Sequence, residues 1–432
     1  MNPVIIIRFY ESAFSFVDGK VKMSHTNSKN QKIQILRAIA ICAVVAIHTE
    51  PPYLFGILAR SFVNFAVSMF FFLSGYLTKL EYDDWFSFFK KRISRVVVPY
   101  IFWSLSWVLY GFIVSRHYDH LLFQLLTGQC VYPYYFVFVY VQFVLFTPWI
   151  SRLIKSHYRW VGWLIQPAAI VLLRYYGLEK HLGFSVLFSW FTPYYLGMIL
   201  GNHILDYSLS RKKTIFLWFV SLVLSIGEGL IWNHLGNYDL ATTQESISNC
   251  LYSIACMLLA YHYINDDNLT IQNNFVNNLL ILLGDCSFGI FLIHAFIILI
   301  VARSPLYQHL FFPFTTVTIL LISSLCILCG RKILGPTIGE KWAYFESSEI
   351  YPVNSNKSTD AIQTVSEYNS GGDIIKIPPP CGLFSVNSAV REYTPVPGCC
   401  FPPSAARYSR SRSGSIPDPL RSAFWCRLPE SA

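Results

Sequence analysis

Charge is what this chain has least of. Only 13% of its 432 residues are Asp, Glu, Lys or Arg, where a soluble domain of this size carries about a quarter. That shortage excludes a soluble globular enzyme. The net charge of +9, from 33 basic against 24 acidic residues, suggests no nucleic-acid surface, because the basic residues are spread among short loops and the tail. A disulfide framework is missing too. Cys42, Cys130, Cys250, Cys256, Cys286, Cys326 and Cys329 lie in or beside apolar segments, and Cys381, Cys399, Cys400 and Cys426 lie near the C-terminus. Cys326-x-x-Cys329 has a redox or zinc spacing, but within an apolar helix and without a second pair it reads as packing. No metal is expected. The first 32 residues also lack the ordered n-region, apolar core and cleavage site of a signal peptide.

What the chain has instead is apolar sequence: 54% hydrophobic and 17% aromatic residues, with a mean hydropathy of +0.43. Runs long enough to cross a bilayer, which takes roughly 20 residues each, recur from about residue 33 to residue 334. The expectation is an all-α, polytopic integral membrane protein of about ten transmembrane helices. They fall near 33–50, 64–80, 96–115, 134–154, 160–177, 187–204, 214–233, 247–264, 279–301 and 312–333. Pro148, Pro167 and Pro193 interrupt the fourth to sixth, which places those spans inside the bundle, where neighbours can satisfy the freed backbone.

Lys and Arg collect in alternate connections: before span 1, between spans 2 and 3 (Lys79, Lys90, Lys91, Arg92, Arg95), between 4 and 5 (Arg152, Lys155, Arg159) and between 6 and 7 (Arg211, Lys212, Lys213). By the positive-inside rule both termini are cytoplasmic. The organisation read from this pattern is a cytoplasmic lead at 1–32, a membrane domain at 33–335 and a tail at 345–432. Met23 is an alternative start for the lead. The tail, rich in Ser, Pro, Gly and Arg, cannot bury enough apolar surface to order itself, and it is open to reading as a frameshifted or read-through extension.

Within the first span stand Arg37 and His48, eleven residues apart in Leu36-Arg-Ala-Ile-Ala-Ile-Cys-Ala-Val-Val-Ala-Ile-His48. Eleven residues make about three helical turns, so both side chains share a face, about 16 Å apart along the axis. Ionisable groups inside a membrane helix are costly and mark function; the plainer alternative is a snorkelling arginine and a histidine at the helix end. With the N-terminus inside, Arg37 lies near the cytoplasm and His48 toward the outer half, a geometry suited to a donor on one side and an acceptor on the other. Glu50 could orient the imidazole only if the helix unwinds before Pro51.

Other residues carry chemistry less clearly. Lys90-Lys-Arg-Ile-Ser-Arg95 is a positive-inside signal or a phosphate clamp, since guanidinium groups hold phosphate bidentately. His294 sits in an apolar run with Asp285 upstream, either as a core histidine or as a pocket residue. Glu228 is an intramembrane acid without a visible partner in sequence, and so a candidate acceptor-site residue. Ser74 and Tyr76 could line a cavity, although small residues near them more often serve close packing.

Three further blocks set Arg37 and His48 in context: Val67-Ser-Met-Phe-Phe-Phe-Leu-Ser-Gly-Tyr-Leu77, Lys91-Arg-Ile-Ser-Arg95, and Gly284-Asp-Cys-Ser-Phe-Gly-Ile-Phe-Leu-Ile-His294. In order and spacing the four blocks resemble the acyltransferase-3 family of integral-membrane O-acyltransferases, over roughly residues 31–335. The resemblance implies an enzyme of the stand-alone type that moves an acyl group, most often acetyl from cytoplasmic acetyl-CoA, to hydroxyls of a cell-surface glycan or lipid-linked oligosaccharide such as O-antigen or exopolysaccharide. It implies His48 as the essential histidine, as proton acceptor or acyl carrier, with Arg37 its partner. Arg92 and Arg95, with Lys91, would hold CoA, although Lys91 replaces the first arginine of the family's Arg-Arg-x-x-Arg pattern and loses its fork. His294, Glu228, Ser74, Tyr76 and Asp285 would belong to the substrate pocket.

The expected setting is the bacterial inner membrane, with membrane lipids, a glycan or glycolipid acceptor and polysaccharide-assembly proteins as partners. The alternative is a transporter or flippase for the glycan or its lipid-linked precursor, which broken helices and buried charges also suit. A carrier predicts an internal repeat, and none is visible between spans 1–5 and 6–10. A scaffold that has lost activity is a third reading, against which the retained Arg37, His48, Arg92 and Arg95 argue.

Overall fold

The structure, a computed structural model, describes residues 28–51, 53–115, 121–178, 185–205, 209–305 and 310–338. Contacts divide the chain into Met1–Asn354 and Ser355–Ala432, and every described residue lies in the first unit. Most of the lead at 1–32 and all of the tail at 345–432 lie outside the described residues. The described chain is all-helical, 81% helix with no strand.

Its α-helices are α1 (Ser28–Ile47), α2 (Tyr53–Val63), α3 (Ala66–Tyr76), α4 (Trp85–Ser115), α5 (Leu121–Thr127), α6 (Tyr135–Lys155), α7 (Gly162–Ala169), α8 (Phe191–Gly201), α9 (Arg211–His234), α10 (Tyr238–Thr242), α11 (Ile247–Ile264), α12 (Phe275–Asp285), α13 (Ser287–Ala302) and α14 (Phe314–Ile338). Seven helical stretches among the described residues are long and apolar enough to cross a membrane, and the pair α12–α13, bent by 77°, makes an eighth if it counts as one span.

The fifth and sixth expected spans are not single long helices. Residues 160–177 form a 3-10 turn, the eight-residue α7 and a π-helical turn at Ile170–Tyr175. Residues 187–204 form a 3-10 turn and the eleven-residue α8. Pro193 costs α8 little because it falls in the first turn, whose N–H groups have no helical partner, and Gln166 Oε1 accepts the Thr192 N–H at 2.9 Å beside it. Residues 191–200 are all buried, so this segment does lie inside the bundle, whereas α7 is largely half-exposed.

The basic cluster Lys90–Arg95 also differs from expectation: it is helix, not loop. Asp84 starts α4 by accepting from Phe86 N and the Ser87 hydroxyl; the Ser87 hydroxyl first, then the backbone N–H groups, hold its carboxyl below the usual range. The 29 residues from Trp85 to Ile113 span about 43 Å, more than the roughly 30 Å of a hydrocarbon core. The helix therefore carries its charges on turns that extend past the apolar layer.

Helix α1 is the hub, packing against α2, α3, α11, α12, α13 and α14. Helices α4 and α9 show apolar side chains such as Phe102, Leu109, Phe216 and Phe219 on the outside, the lipid-facing perimeter. Close approach of α3 and α8 depends on glycine. A Cβ on Gly197 would overlap the Phe72 carbonyl oxygen, and one on Gly201 the Tyr76 carbonyl oxygen; Gly75 meets Tyr194 in the same seam. Small residues let membrane helices approach in this way. Gly201→Leu is expected to cost about 1–3 kcal/mol or more, as overpacking does, and to lower the thermal unfolding midpoint in detergent clearly below that of an exposed α9 control such as Phe216→Leu.

Candidate active site

The site begins where α1 stops. Glu50 precedes Pro51, and a residue before proline is steered out of the helical region. The freed carbonyls at the helix end are satisfied locally: Thr49 Oγ1 donates to Val45 O at 3.0 Å and Arg60 Nη1 to Ile47 O at 3.3 Å. Thr49 is also tied to Thr316 of α14 at 2.6 Å. His48 therefore sits in the turn just past α1, its N–H on Val45 O at 3.1 Å. Glu50 does not orient the imidazole as the sequence allowed. Its carboxylate accepts from Arg60 at 2.8 Å, so the acid is committed to the turn.

His48 lines a small cleft with Val44 and Ile47 of α1, Val67, Tyr132, Tyr135, Phe136, Gln244 and Phe291. Its ring lies 5.2 Å from that of His294 and 6.2 Å from Tyr132, centroid to centroid. His294 is fully buried. Its Nδ1 stands 2.7 Å from Phe291 O and 3.2 Å from Ile290 O. A carbonyl only accepts, so in the neutral ring Nδ1 carries the proton and Nε2 keeps its lone pair. That Nε2 is buried and has no hydrogen-bond partner among the described residues. Two imidazoles thus lie side by side, His48 at the cleft and His294 buried next to it with a fixed tautomer and a lone pair to offer.

Arg37 is half-buried on α1. It stands eleven residues, about three helical turns, before His48. Arg92 reaches the end of α3, donating to Ser74 Oγ at 3.3 Å and Leu77 O at 3.0 Å and covering the Phe88 ring at 5.3 Å. Arg92 and Arg95, three apart on α4, are neighbours on one side of it and both half-buried, while Lys90 and Lys91 are exposed. The cluster divides into two inward guanidinium groups and two outward ammonium groups.

Sequence similarity runs the length of this arrangement. A model of the acyltransferase domain of the acyltransferase-3 type matches residues 30–330, from the first turn of α1 almost to the end of the described chain. The protein belongs to the acyltransferase-3 family. It is a multi-pass membrane acyltransferase. No curated protein and no solved structure matches the chain.

Of the residues proposed for an acyltransferase-3 pocket, the structure brings His294 to His48 and Ser74 to Arg92. Three others are occupied elsewhere. Asp285 pairs with Arg331 of α14 at 2.9 Å, and Arg331 also donates to the Asp285 carbonyl at 3.2 Å, which braces the bend between α12 and α13. Tyr76 donates to Asn265 Oδ1 at 3.3 Å and packs in a second core with Phe72 and Tyr261, away from the cleft lining. Glu228 is not partnerless: it accepts from the Tyr175 hydroxyl at 2.5 Å, Trp232 Nε1 at 3.3 Å and Ser248 N at 3.0 Å. Its carboxylate satisfies the start of α11 and is already held by three donors.

Two cleft residues had no signal in the sequence. Tyr132 opens the 3-10 turn just before α6, and its ring meets His48 edge-on. Gln244 lies between α10 and α11 and reaches the cleft from a distant part of the chain. Neither stands in a motif, and only the tertiary packing shows them.

Proposed function

We propose that this acyltransferase carries an acyl group, most often acetyl, from cytoplasmic acetyl-CoA to a hydroxyl of a surface glycan or lipid-linked oligosaccharide, in the inner membrane of a bacterium. The observation that carries the reading is His48 lining a cleft just past the end of α1 with its ring beside that of the buried His294, about three turns from Arg37. A membrane relay needs its proton acceptor near the acceptor sugar and its cationic groups near the donor's phosphates, and α1 separates the two by three turns. The ten-span count and cytoplasmic termini belong to the same proposal. They are supported by the alternation of basic connections and by two short segments, the half-exposed α7 and the buried α8, acting as partial crossings.

In the simplest route the acceptor hydroxyl gives its proton to a His48 nitrogen as its oxygen bonds to the thioester carbonyl carbon. The C–S bond then breaks, and the CoA sulfur takes the proton back from the imidazolium. In the other route His48 itself bonds the carbonyl carbon, releases CoA thiol and passes the acyl group on. Both routes need an uncharged His48.

The deciding experiment uses the full chain in lipid vesicles with acetyl-CoA on the basic-loop side and a lipid-linked oligosaccharide. Acetyl ester on the sugar, seen by NMR, supports the reading. Movement of the oligosaccharide across the vesicle membrane without ester formation overturns it in favour of a carrier.

A second expectation concerns the guanidinium pair. Arg92→Ala/Arg95→Ala should raise the acetyl-CoA KM roughly tenfold or more, the worth of lost charge-assisted hydrogen bonds, in protein that still elutes as a single species. Unchanged KM would return the two residues to the topology signal.

A further inference from the structure

One side chain in the cleft has no part in the acyl relay, yet the fold goes to some length to place it. Gln244 stands in the link between α10 and α11, and the residues on both sides of it are pinned. The Thr243 carbonyl accepts from Asn249 Nδ2 at 2.7 Å and Asn64 Nδ2 at 3.5 Å. The Thr243 hydroxyl oxygen accepts from Arg174 at 2.8 Å and from Glu245 N at 3.1 Å, and Arg174 pairs with Glu245 at 2.7 Å. Tyr175 and Glu228 hold the next turn through Ile247 N and Ser248 N. All of these groups satisfy the backbone around Gln244 and none takes its amide. The Gln244 Oε1 is buried, lines the His48 cleft and has no hydrogen-bond partner among the described residues.

An unpaired buried carbonyl is costly unless a ligand completes it. The walls beside it are aromatic: Tyr132, Tyr135, Phe136 and Phe291. A side-chain amide that can both donate and accept, set among aromatic side chains, suits a polyhydroxylated sugar ring. We propose that Gln244 is an acceptor subsite: it binds a sugar hydroxyl adjacent to the reacting one and thereby selects which hydroxyl faces His48. Glu228 then acts at one remove, holding the segment that presents Gln244. The inference rests on the glycan-acylating function proposed above.

The test uses the full chain in nanodiscs with acetyl-CoA and a panel of methyl hexopyranosides and their monodeoxy analogues, reading acceptor KM and ester position by NMR. Gln244→Leu should raise the acceptor KM about tenfold, the worth of one neutral hydrogen bond, and spread the ester over more than one hydroxyl, while the acetyl-CoA KM stays within twofold of wild type. One deoxy analogue should lose affinity with wild type and none with Gln244→Leu, since the lost partner is shared. Gln244→Asn, which keeps an amide on a shorter arm, serves where the leucine variant fails to fold. Acceptor KM and ester position unchanged in either folded variant overturn the subsite alone. Wild-type transfer to no glycoside, with acetyl-CoA still consumed, overturns the glycan reading itself and the subsite with it.

Discussion

Replacing His48 by alanine is expected to lower acetyl transfer by about two to four orders of magnitude, the range that a positioned proton acceptor supplies, with little change in stability. Stability should hold because His48 stands past the end of α1, half-buried, and its side chain makes no hydrogen bond among the described residues. The turn around it is carried by Thr49, Arg60 and Glu50. The measurement is glycan acetyl content in complemented cells, with the thermal midpoint of the purified variant as the control. Full acetylation by His48→Ala would end the catalytic assignment. The size of the loss also bears on the two routes. A histidine that carries the acyl group should show a fast pre-steady release of one CoA per enzyme in the absence of sugar, whereas a proton acceptor has nothing to release until the hydroxyl arrives.

The same residue shows what a linear pattern can reveal. Helical spacing alone suggested one face for Arg37 and His48; α1 runs unbroken from Arg37 to Ile47, and His48 falls in the turn just past it. Orientation within the turn did not follow, because it depends on Arg60, ten residues beyond Glu50, which takes the carboxylate that sequence proximity offered to His48. The partners of Glu228 were hidden in the sequence for a similar reason. Its partners Tyr175 and Ser248 lie 53 and 20 residues away, and hydropathy says nothing of hydrogen bonds across helices.

Span counting met a different obstacle. A hydropathy window registers apolar composition without regard to continuity, so 160–177 and 187–204 read like their neighbours. Their interruptions show only in the fold: a π turn after Pro167, and a 3-10 turn before the short α8. At Lys90–Arg95 charge argued for a loop, but Asp84 caps a helix long enough to clear the apolar layer. Gln244 marks the limit: a lone amide in a connecting segment carries no periodicity, and its place is set by Arg174, Asn64 and Asn249 acting on its neighbours.

His294→Asn should separate a working second histidine from a packing one. An asparagine amide nitrogen occupies nearly the place of Nδ1, so it can go on donating to the Phe291 carbonyl that His294 reaches at 2.7 Å. What it lacks is any group at the position of Nε2. If His294 only fills the core and caps that carbonyl, the asparagine variant should be close to wild type in both stability and turnover. The geometry argues for more. The Nε2 lone pair is buried without a partner beside the one ring on the acyl relay, 5.2 Å between centroids, and leaving such an acceptor unpaired costs about 1–3 kcal/mol. That cost is recovered if His48 turns its own N–H onto Nε2 once substrate fills the cleft, since hydrogen bonds of this kind are often long in the empty enzyme. The bond would fix which His48 nitrogen faces the acceptor and steady the imidazolium as it forms, which makes His294 a positioning residue. His294→Asn is then expected to lose roughly 100-fold in kcat with acetyl-CoA KM unchanged. His294→Gln, whose amide oxygen can stand near the Nε2 position, should recover part of it. Equal turnover in wild type and asparagine variant would assign His294 to the core alone.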